Sequence, residues 1–521
     1  MTLLRRWAVL TWVMALSAAG AQTTSPREAQ PTRPAAGSQP ATRPAPTQLT
    51  ARQRLRKIAQ MARRALALYE ARDYKAALAV QKELVDLAPE DGRHWYNLAC
   101  LQCRTGRTDE ALQSLQQAVE KGYSELRHME RDDDLKALRP TEGYKRILAH
   151  RDDIQRRRAA KVYDALKKQM GEGYAYQIDH DSRLIFAANV DQGTLKEIRE
   201  FLGAYAKAMR RQLFSHSFEQ YVAVVVPKEQ DSRRPFLGGY YNHANRTLVA
   251  KSIGMVLRHE FTHALHGADQ AALGQRHPIW ITEGLATLFE TSEIRNGRVY
   301  PRHNHRLNIL QRLLRRKRTI PFEKLFKLTH QEFMRQAVEG YPQSRYVMMY
   351  LHDKGVLRKW YDAYTAGFDE DRTGAAAMAE VLGRKLGEIE ADWLEWAKTL
   401  KPPPLTVRPK QAYVGITMAH AVDGLRIARV VPGSGADKAG LKPGDVILRI
   451  DGQRMLDPGE LVRLVTGHGV GDQLKVTYRR EGKERSATVV LQAMPSDVNA
   501  HLRGGEPASR PAPRTQPATQ P

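Results

Sequence analysis

Cysteine is nearly absent: 521 residues hold two, Cys100 and Cys103, three positions apart. Two thiols cannot build a disulfide framework. No second CxxC or histidine pair accompanies them, so they read as small residues in a helix interface rather than half of a zinc site. Long apolar runs are also missing. The stretch at residues 7–16 falls short of the ~20 residues a membrane-spanning helix needs, which excludes a multi-span transporter. Acidic residues are the third shortage. Against 82 Lys+Arg stand 57 Asp+Glu, a net charge of +25 that favours acidic surfaces such as nucleic acid, anionic lipid or acidic polymer. A mean hydropathy of −0.54 fits a globular chain, and at ~100–200 residues per domain the length allows about three folded units.

The N-terminus narrows the compartment. Arg5 and Arg6, the apolar residues 7–16 and the small residues Ala19-Gly20-Ala21 form the three parts of a secretory signal peptide over residues 1–21. The expected location is therefore periplasmic or extracellular, where the mature chain meets no nucleic acid. The charge then points to peripheral contact with anionic envelope surfaces. Residues 22–50, rich in Pro, Thr and Ala, cannot bury enough surface to fold, and residues 494–521 repeat that composition. A Pro-rich linker at residues 401–411 divides the remainder.

Three folded units follow. From residue 51 to 150 the pattern is helical, and Ala65/Ala99, Ala77/Ala111 and Leu78/Leu112 are each 34 positions apart, the period of a helix-turn-helix solenoid. This segment resembles tetratricopeptide repeats. Over residues 160–400 strands and helices mix: strands are expected at 183–188, 221–227 and 246–250, and an amphipathic helix at 194–213. The last of these strands is read as a sheet edge able to take an extended peptide.

That strand leads into a helical run containing His259-Glu260-Phe261-Thr262-His263. Positions i and i+4 share a helix face, so both imidazoles can converge on one tetrahedral zinc, with Glu260 beside the metal to deprotonate its bound water. A catalytic zinc wants a third protein ligand and an open position. Residues 279–290 (IWITEGLATLFE) form another helix with an acidic residue near its start, and Glu283 is the expected third ligand, for one zinc ion per chain.

HEFTH followed by this Glu resembles the gluzincin metallopeptidases, the peptidase MA group. The resemblance implies that His259, His263 and Glu283 bind zinc and that Glu260 is general base and then general acid. Residues 340–351 are similar to the segment in which a Tyr stabilises the oxyanion. That similarity gives Tyr341 this role, with Tyr346 as the alternative, although Gln343-Ser344 stand where the family has Lys-Gly. The aminopeptidases of the group carry a Glu that grips the substrate amino terminus. Here residues 237–242 (LGGYYN) contain no acid, which favours endopeptidase action.

Residues 412–493 close the folded part. The run AGLKPGDVILRIDG at 439–452 closely resembles the PDZ domains of bacterial secreted proteases. By that resemblance the loop Tyr413-Val414-Gly415-Ile416 presents backbone N–H groups to the C-terminal carboxylate of a protein partner, and a helix near 459–465 closes the groove. The Arg/Lys run at 312–318 reads as a solvated helix face.

The fold expected is thus multidomain α+β, with a helical-repeat domain, a gluzincin-like α+β catalytic domain and a β-rich PDZ domain. Its expected function is that of an exported zinc metallopeptidase acting on a peptide or protein substrate. A catalytically silent envelope scaffold and a glycyl-aminopeptidase-like enzyme are the alternatives.

Overall fold

The computed structural model describes residues 50–231 and 238–496. The expected signal peptide and almost all of the two Pro-rich end segments lie outside them. The chain divides into two compact units, one running through Arg158 and the other beginning at Ala159.

The first unit is helical: α1 (Ala51–Glu70), α2 (Tyr74–Leu87), α3 (Gly92–Arg104), α4 (Thr108–Glu120), α5 (Leu126–Arg131), α6 (Glu142–Ala149) and the start of α7 (Arg151–Met170). Side-chain caps start the early helices: Thr50 forms a capping box with Gln53, and Asp73 and Asp91 accept from Ala76 and Arg93 N–H. Helices α1 and α2 pair, as do α3 and α4. Ala65 and Ala77, and their 34-residue counterparts Ala99 and Ala111, are all buried where helices meet. Gly92 is needed for close approach, since a Cβ there would sit 2.5 Å from the Ala118 carbonyl oxygen. Cys100 is buried and Cys103 half-buried, and both are free thiols. Burial pushes the Cys100 thiol well up, with Asp132 and Asp134 adding to the shift.

The second unit opens with a five-stranded sheet. Strands β1 (Ala175–Asp179) and β2 (Leu184–Ala188) form an antiparallel hairpin. Helix α8 (Gln192–Gln212) crosses over to β3 (Val222–Val226), parallel to β2, and β4 (Gly239–Asn242) and β5 (Thr247–Ala250) complete the order β1-β2-β3-β5-β4. Strands β2 and β3 are unbroken apolar runs because both of their faces are covered. The strand at 246–250 is not the sheet edge: β5 pairs with β3 on one side and with β4 on the other, and β4 takes the edge. The short GYYN sequence of β4 lacks the apolar alternation that marks a strand, which hid it from periodicity.

Helices α9 (Met255–Leu273) and α10 (Ile279–Phe289) follow, then the hairpin β6 (Ser292–Arg295) and β7 (Arg298–Pro301). Further helices are α11 (His305–Arg315), α12 (Phe322–Leu325), α13 (His330–Arg335), α14 (Ala337–Asp353), α15 (Leu357–Ala366), α16 (Ala375–Leu382) and α17 (Leu386–Thr399). One hydrophobic core runs from Ala175 to Ala397 and joins sheet and helices. Arg312, Arg315, Arg316, Lys317 and Arg318 are exposed while Leu313 is buried, as a solvated helix face requires.

A separate small core holds the C-terminal β-rich module: β8 (Ala412–Tyr413), β9 (Ile416–His420), β10 (Leu425–Val430), α18 (Gly435–Lys438), β11 (Val446–Ile450), β12 (Gln453–Arg454), α19 (Pro458–Thr466), β13 (Gln473–Arg480), β14 (Lys483–Val490) and β15 (Gln492–Ala493). This module docks on the preceding domain within the same unit. Ile253 N–H donates to the Val422 carbonyl at 2.9 Å, Leu456 packs on Gly254, and Arg454 reaches Thr194 Oγ1 at 2.9 Å and Glu197 at 3.2 Å.

Candidate metal centre

Helix α9 buries ten of its 19 residues. Its accessible positions include Met255, His259, His263 and Gly267, a single stripe at i, i+4 spacing. Helix α10 is likewise a core helix, with Trp280, Ile281, Leu285, Leu288 and Phe289 fully buried. Only Ile279, Thr282 and Glu283 break that burial. Gly284 lets α10 lie tightly on α14, for a Cβ there would meet Met348 Cγ at 3.0 Å and the Ser344 carbonyl at 3.1 Å. The windows of the two helices open on the same point.

There His259 Nε2 and His263 Nε2 are 3.1 Å apart, and Glu283 Oε2 lies 3.4 Å from the first and 3.5 Å from the second. Three ligands at the ~2.0–2.1 Å bond lengths of tetrahedral zinc would stand about 3.3–3.4 Å apart. The donor chemistry agrees. His259 Nδ1 faces the Glu290 carboxylate at 3.1 Å, so its proton belongs on Nδ1 and its Nε2 lone pair points at the other two groups. Glu283 Oε2 is buried and makes no hydrogen bond among the described residues. Two lone pairs and an anion facing one another call for a cation, and the residues fit zinc. The two carboxylates favour positive charge at this point: burial opposes the charged imidazole, but Glu283 and Glu290 outweigh it and push His259 up to about 10. Burial is likewise outweighed at Glu283, which His263 and His259 hold well below the usual carboxylate range. His266, the next histidine on α9, stands apart, buried and bonded to His277 at 2.7 Å. Burial drives His277 down to about 4, so that pair is neutral.

Glu260 is buried on the side of α9 that meets β4. A Cβ on Gly239 would come within 2.9 Å of Glu260 Cγ, and Tyr241 N–H donates to its carboxylate. Burial raises its pKa, partly offset by His259 and His263, a setting suited to taking up and giving back a proton. Tyr341 stands with its ring edge-on to Phe333, 5.2 Å between centroids, and under the Arg306 guanidinium. Burial raises its phenol, and Glu283 and Glu260 both add to the shift, while its hydroxyl donates to Met334 Sδ at 3.8 Å. Tyr346 turns the other way, into the core, where its hydroxyl lies 3.3 Å from His303 Nδ1. Gln343 is structural, bonding both backbone groups of Ile320.

Sequence reasoning overlooked the layer behind the ligands. Glu290 is 1% exposed. Besides His259 it accepts from Arg306 Nε at 2.6 Å and Asn304 Nδ2 at 2.8 Å, and Arg345, fully buried, lies 3.9 Å away. An acidic residue ending an apolar helix was the available signal. A carboxylate on the distal nitrogen fixes the tautomer and orientation of a ligand histidine. Glu290→Gln is therefore expected to weaken zinc binding by about 10–100-fold, as read by competition with a chromophoric chelator.

In the C-terminal module, Tyr413 and Val414 are buried and Gly415 takes φ +90°, where a Cβ would strike Ser434. The Gly415 carbonyl accepts from Val431 N–H and the Val414 carbonyl from Ala436 N–H, which fixes the loop that leads into β9 at Ile416. Helix α19 stands beside β8 and β9, where the sequence placed the groove helix.

Comparison with known proteins bears on this module. Residues 412–491 match the family described as PDZ domain, and the chain carries a C-terminal PDZ domain. A 75-residue stretch is 41% identical to a probable periplasmic serine endoprotease DegP-like of Marinomonas sp., covering 14% of this chain and 16% of that protein. Another of 80 residues is 38% identical to the zinc metalloprotease RasP of Geobacillus kaustophilus, covering 15% and 19%. The solved HtrA3 PDZ domain bound to a phage-derived ligand (FGRWV) aligns at 21% identity and TM-score 0.15, over 16% of this chain and 86% of that one. These matches fall on the PDZ region, and the chain spans less than a fifth of the length of the two curated relatives.

Proposed function

We propose that the chain is an exported zinc metallopeptidase of the gluzincin type, with a tetratricopeptide-like helical unit before the catalytic domain and a PDZ domain after it. The observation that carries this reading is the triangle of His259, His263 and Glu283 donor atoms, 3.1–3.5 Å on each side, with Glu260 next to it on the HExxH helix. Export rests on the N-terminal pattern, and a protease-associated role is in keeping with the PDZ-bearing relatives. Among the described residues no helix is long and apolar enough to cross a membrane.

Zinc, when bound, supplies Lewis-acid polarisation of the scissile carbonyl and lowers the pKa of water at the site. The chain's own groups do the rest. Glu260 accepts the proton of the attacking water and later delivers it to the leaving amine nitrogen. Tyr341 donates from its hydroxyl to the developing oxyanion. Edge strand β4, lying against Glu260, offers backbone groups to an extended peptide on the side from which the water acts. The PDZ domain binds the C-terminus of a substrate or partner through the loop at Tyr413, Val414, Gly415 and Ile416.

Tyr341→Phe is expected to lower kcat by about 10²–10³-fold with KM little changed, the signature of a donor used in the transition state, measured by steady-state cleavage of a quenched peptide. Internally quenched peptides with acetylated N-termini test the wider reading. Cleavage that stops on chelation and returns with zinc supports an endopeptidase. Cleavage confined to free N-termini gives the site to the glycyl-aminopeptidase-like alternative. No cleavage by the zinc-loaded chain leaves the scaffold.

A further inference from the structure

The PDZ domain touches the zinc helix at its first turn. Helix α19 begins at Pro458, capped by Asp457. Just before it, Leu456 packs on Gly254, the residue capping α9, so closely that a Cβ on Gly254 would lie 2.9 Å from Leu456 Cβ. One turn along α9, Arg258 is buried. Its Nε donates to the Glu290 carbonyl at 2.8 Å, and Glu290 holds His259 through its carboxylate. On its other side Arg258 Nη2 is 3.8 Å from Glu460 Oε1 on α19. That Nη2 is buried without a hydrogen bond among the described residues. The contact is an ion pair held just short of a bond, and it is the kind of buried, unmet donor that a small shift of α19 would satisfy.

Helix α19 is also a wall of the peptide groove. A chain that adds to β9 lies against α19, and whatever moves that wall moves Glu460. From this we propose that a polypeptide C-terminus bound in the PDZ groove is felt at His259 through Glu460, Arg258 and Glu290, with Arg258 as the positioning residue. Occupancy of the groove thereby strengthens metal binding at a centre the peptide does not touch. The inference deepens the metallopeptidase reading and rests on it only for the claim that the tuned centre is catalytic.

Coupling between two sites is reciprocal: a peptide that tightens zinc binding must itself bind more tightly when zinc is present, by the same factor. The probe is an equimolar pool of N-terminally labelled decapeptides ending in a free Val, Leu, Ile or Phe carboxylate, with the same pool amidated at the C-terminus as control. On the full chain, the carboxylate pool is expected to lower the zinc dissociation constant about fivefold or more, and zinc to lower the dissociation constant of the pool, read by fluorescence anisotropy, by the same factor. The amidated pool does neither. Glu460→Gln is expected to bring both factors to near one while peptide binding to the zinc-free chain stays at the parental value. A purely structural role for Glu460 would leave the coupling intact. Zinc affinity that does not respond to the carboxylate pool, coupling that survives in Glu460→Gln, or a carboxylate pool that does not bind would each overturn the proposal. Coupling without any peptide-bond cleavage would instead sink the metallopeptidase reading and leave this one standing.

Discussion

Glu260→Gln is expected to lower kcat/KM for peptide cleavage by about 10²–10⁴-fold, the share that a positioned general base contributes, while zinc content stays at the parental level. The substitution keeps the shape of the side chain. An amide oxygen can still accept from Tyr241 N–H, the partner the carboxylate has in the fold, so β4 keeps its place against α9. What the amide cannot do is take a proton from water. The raised pKa that burial gives Glu260 serves both directions of the transfer, because a more basic carboxylate accepts more readily and its acid form still gives the proton to an amine. Metal analysis of both proteins beside a quenched-peptide assay separates this from loss of the metal. Equal turnover in the two proteins would remove Glu260 from the mechanism.

The second large effect is on the metal itself. His263→Ala removes one of three protein donors and leaves His259 and Glu283, whose separation of 3.4 Å gives only two ligands. Stoichiometric zinc and peptide cleavage are both expected to be lost. Stability supplies an independent reading. Zinc bound to the folded but not the unfolded chain, at a thousandfold excess over its dissociation constant, stabilises by about 4 kcal/mol, so added zinc is expected to raise the parental melting temperature by several degrees. In His263→Ala that zinc-dependent rise is expected to vanish while the zinc-free melting temperature changes little, since His263 lies on the accessible stripe of α9 rather than in its core. An undiminished rise in the variant would place the metal elsewhere.

How far the sequence could be read follows from which facts are local. The i, i+4 pair on α9 and an acid on the next helix are decided by helical periodicity and residue type, so His259, His263 and Glu283 could be gathered without coordinates. Tyr341 and Tyr346 could not be told apart by motif. Five residues along a helix is a rotation of about 140°, and the fold sends one ring to Phe333 and Arg306 and the other to His303. The pairing of Glu290 with His259 and Arg306 was hidden for a different reason. It depends on which way the His259 ring turns and on the chain returning at Asn304, neither of which leaves a periodic trace. The sheet edge was misplaced because the glycine, two tyrosines and asparagine of half-buried β4 carry no alternation. The PDZ domain was legible through the resemblance that the run AGLKPGDVILRIDG at 439–452 carries. Its docking on α8 and α9 through Arg454, Val422 and Leu456 depends on surfaces that only tertiary packing brings together.

The charge excess with which the sequence opens finds a modest place in this picture. The exposed cations at 312–318 form a solvated face on and just after α11, remote in the sequence from the HExxH motif. The function proposed rests on a few acids and imidazoles at the centre rather than on the many exposed bases.

The most direct test of the account is zinc-edge X-ray absorption of the chain loaded with one equivalent of zinc. The account predicts stoichiometric binding with two imidazole nitrogens and oxygen donors at about 2.0–2.2 Å, and loss of that stoichiometric binding in His263→Ala. Failure to bind one equivalent, or a shell without imidazole, would contradict it.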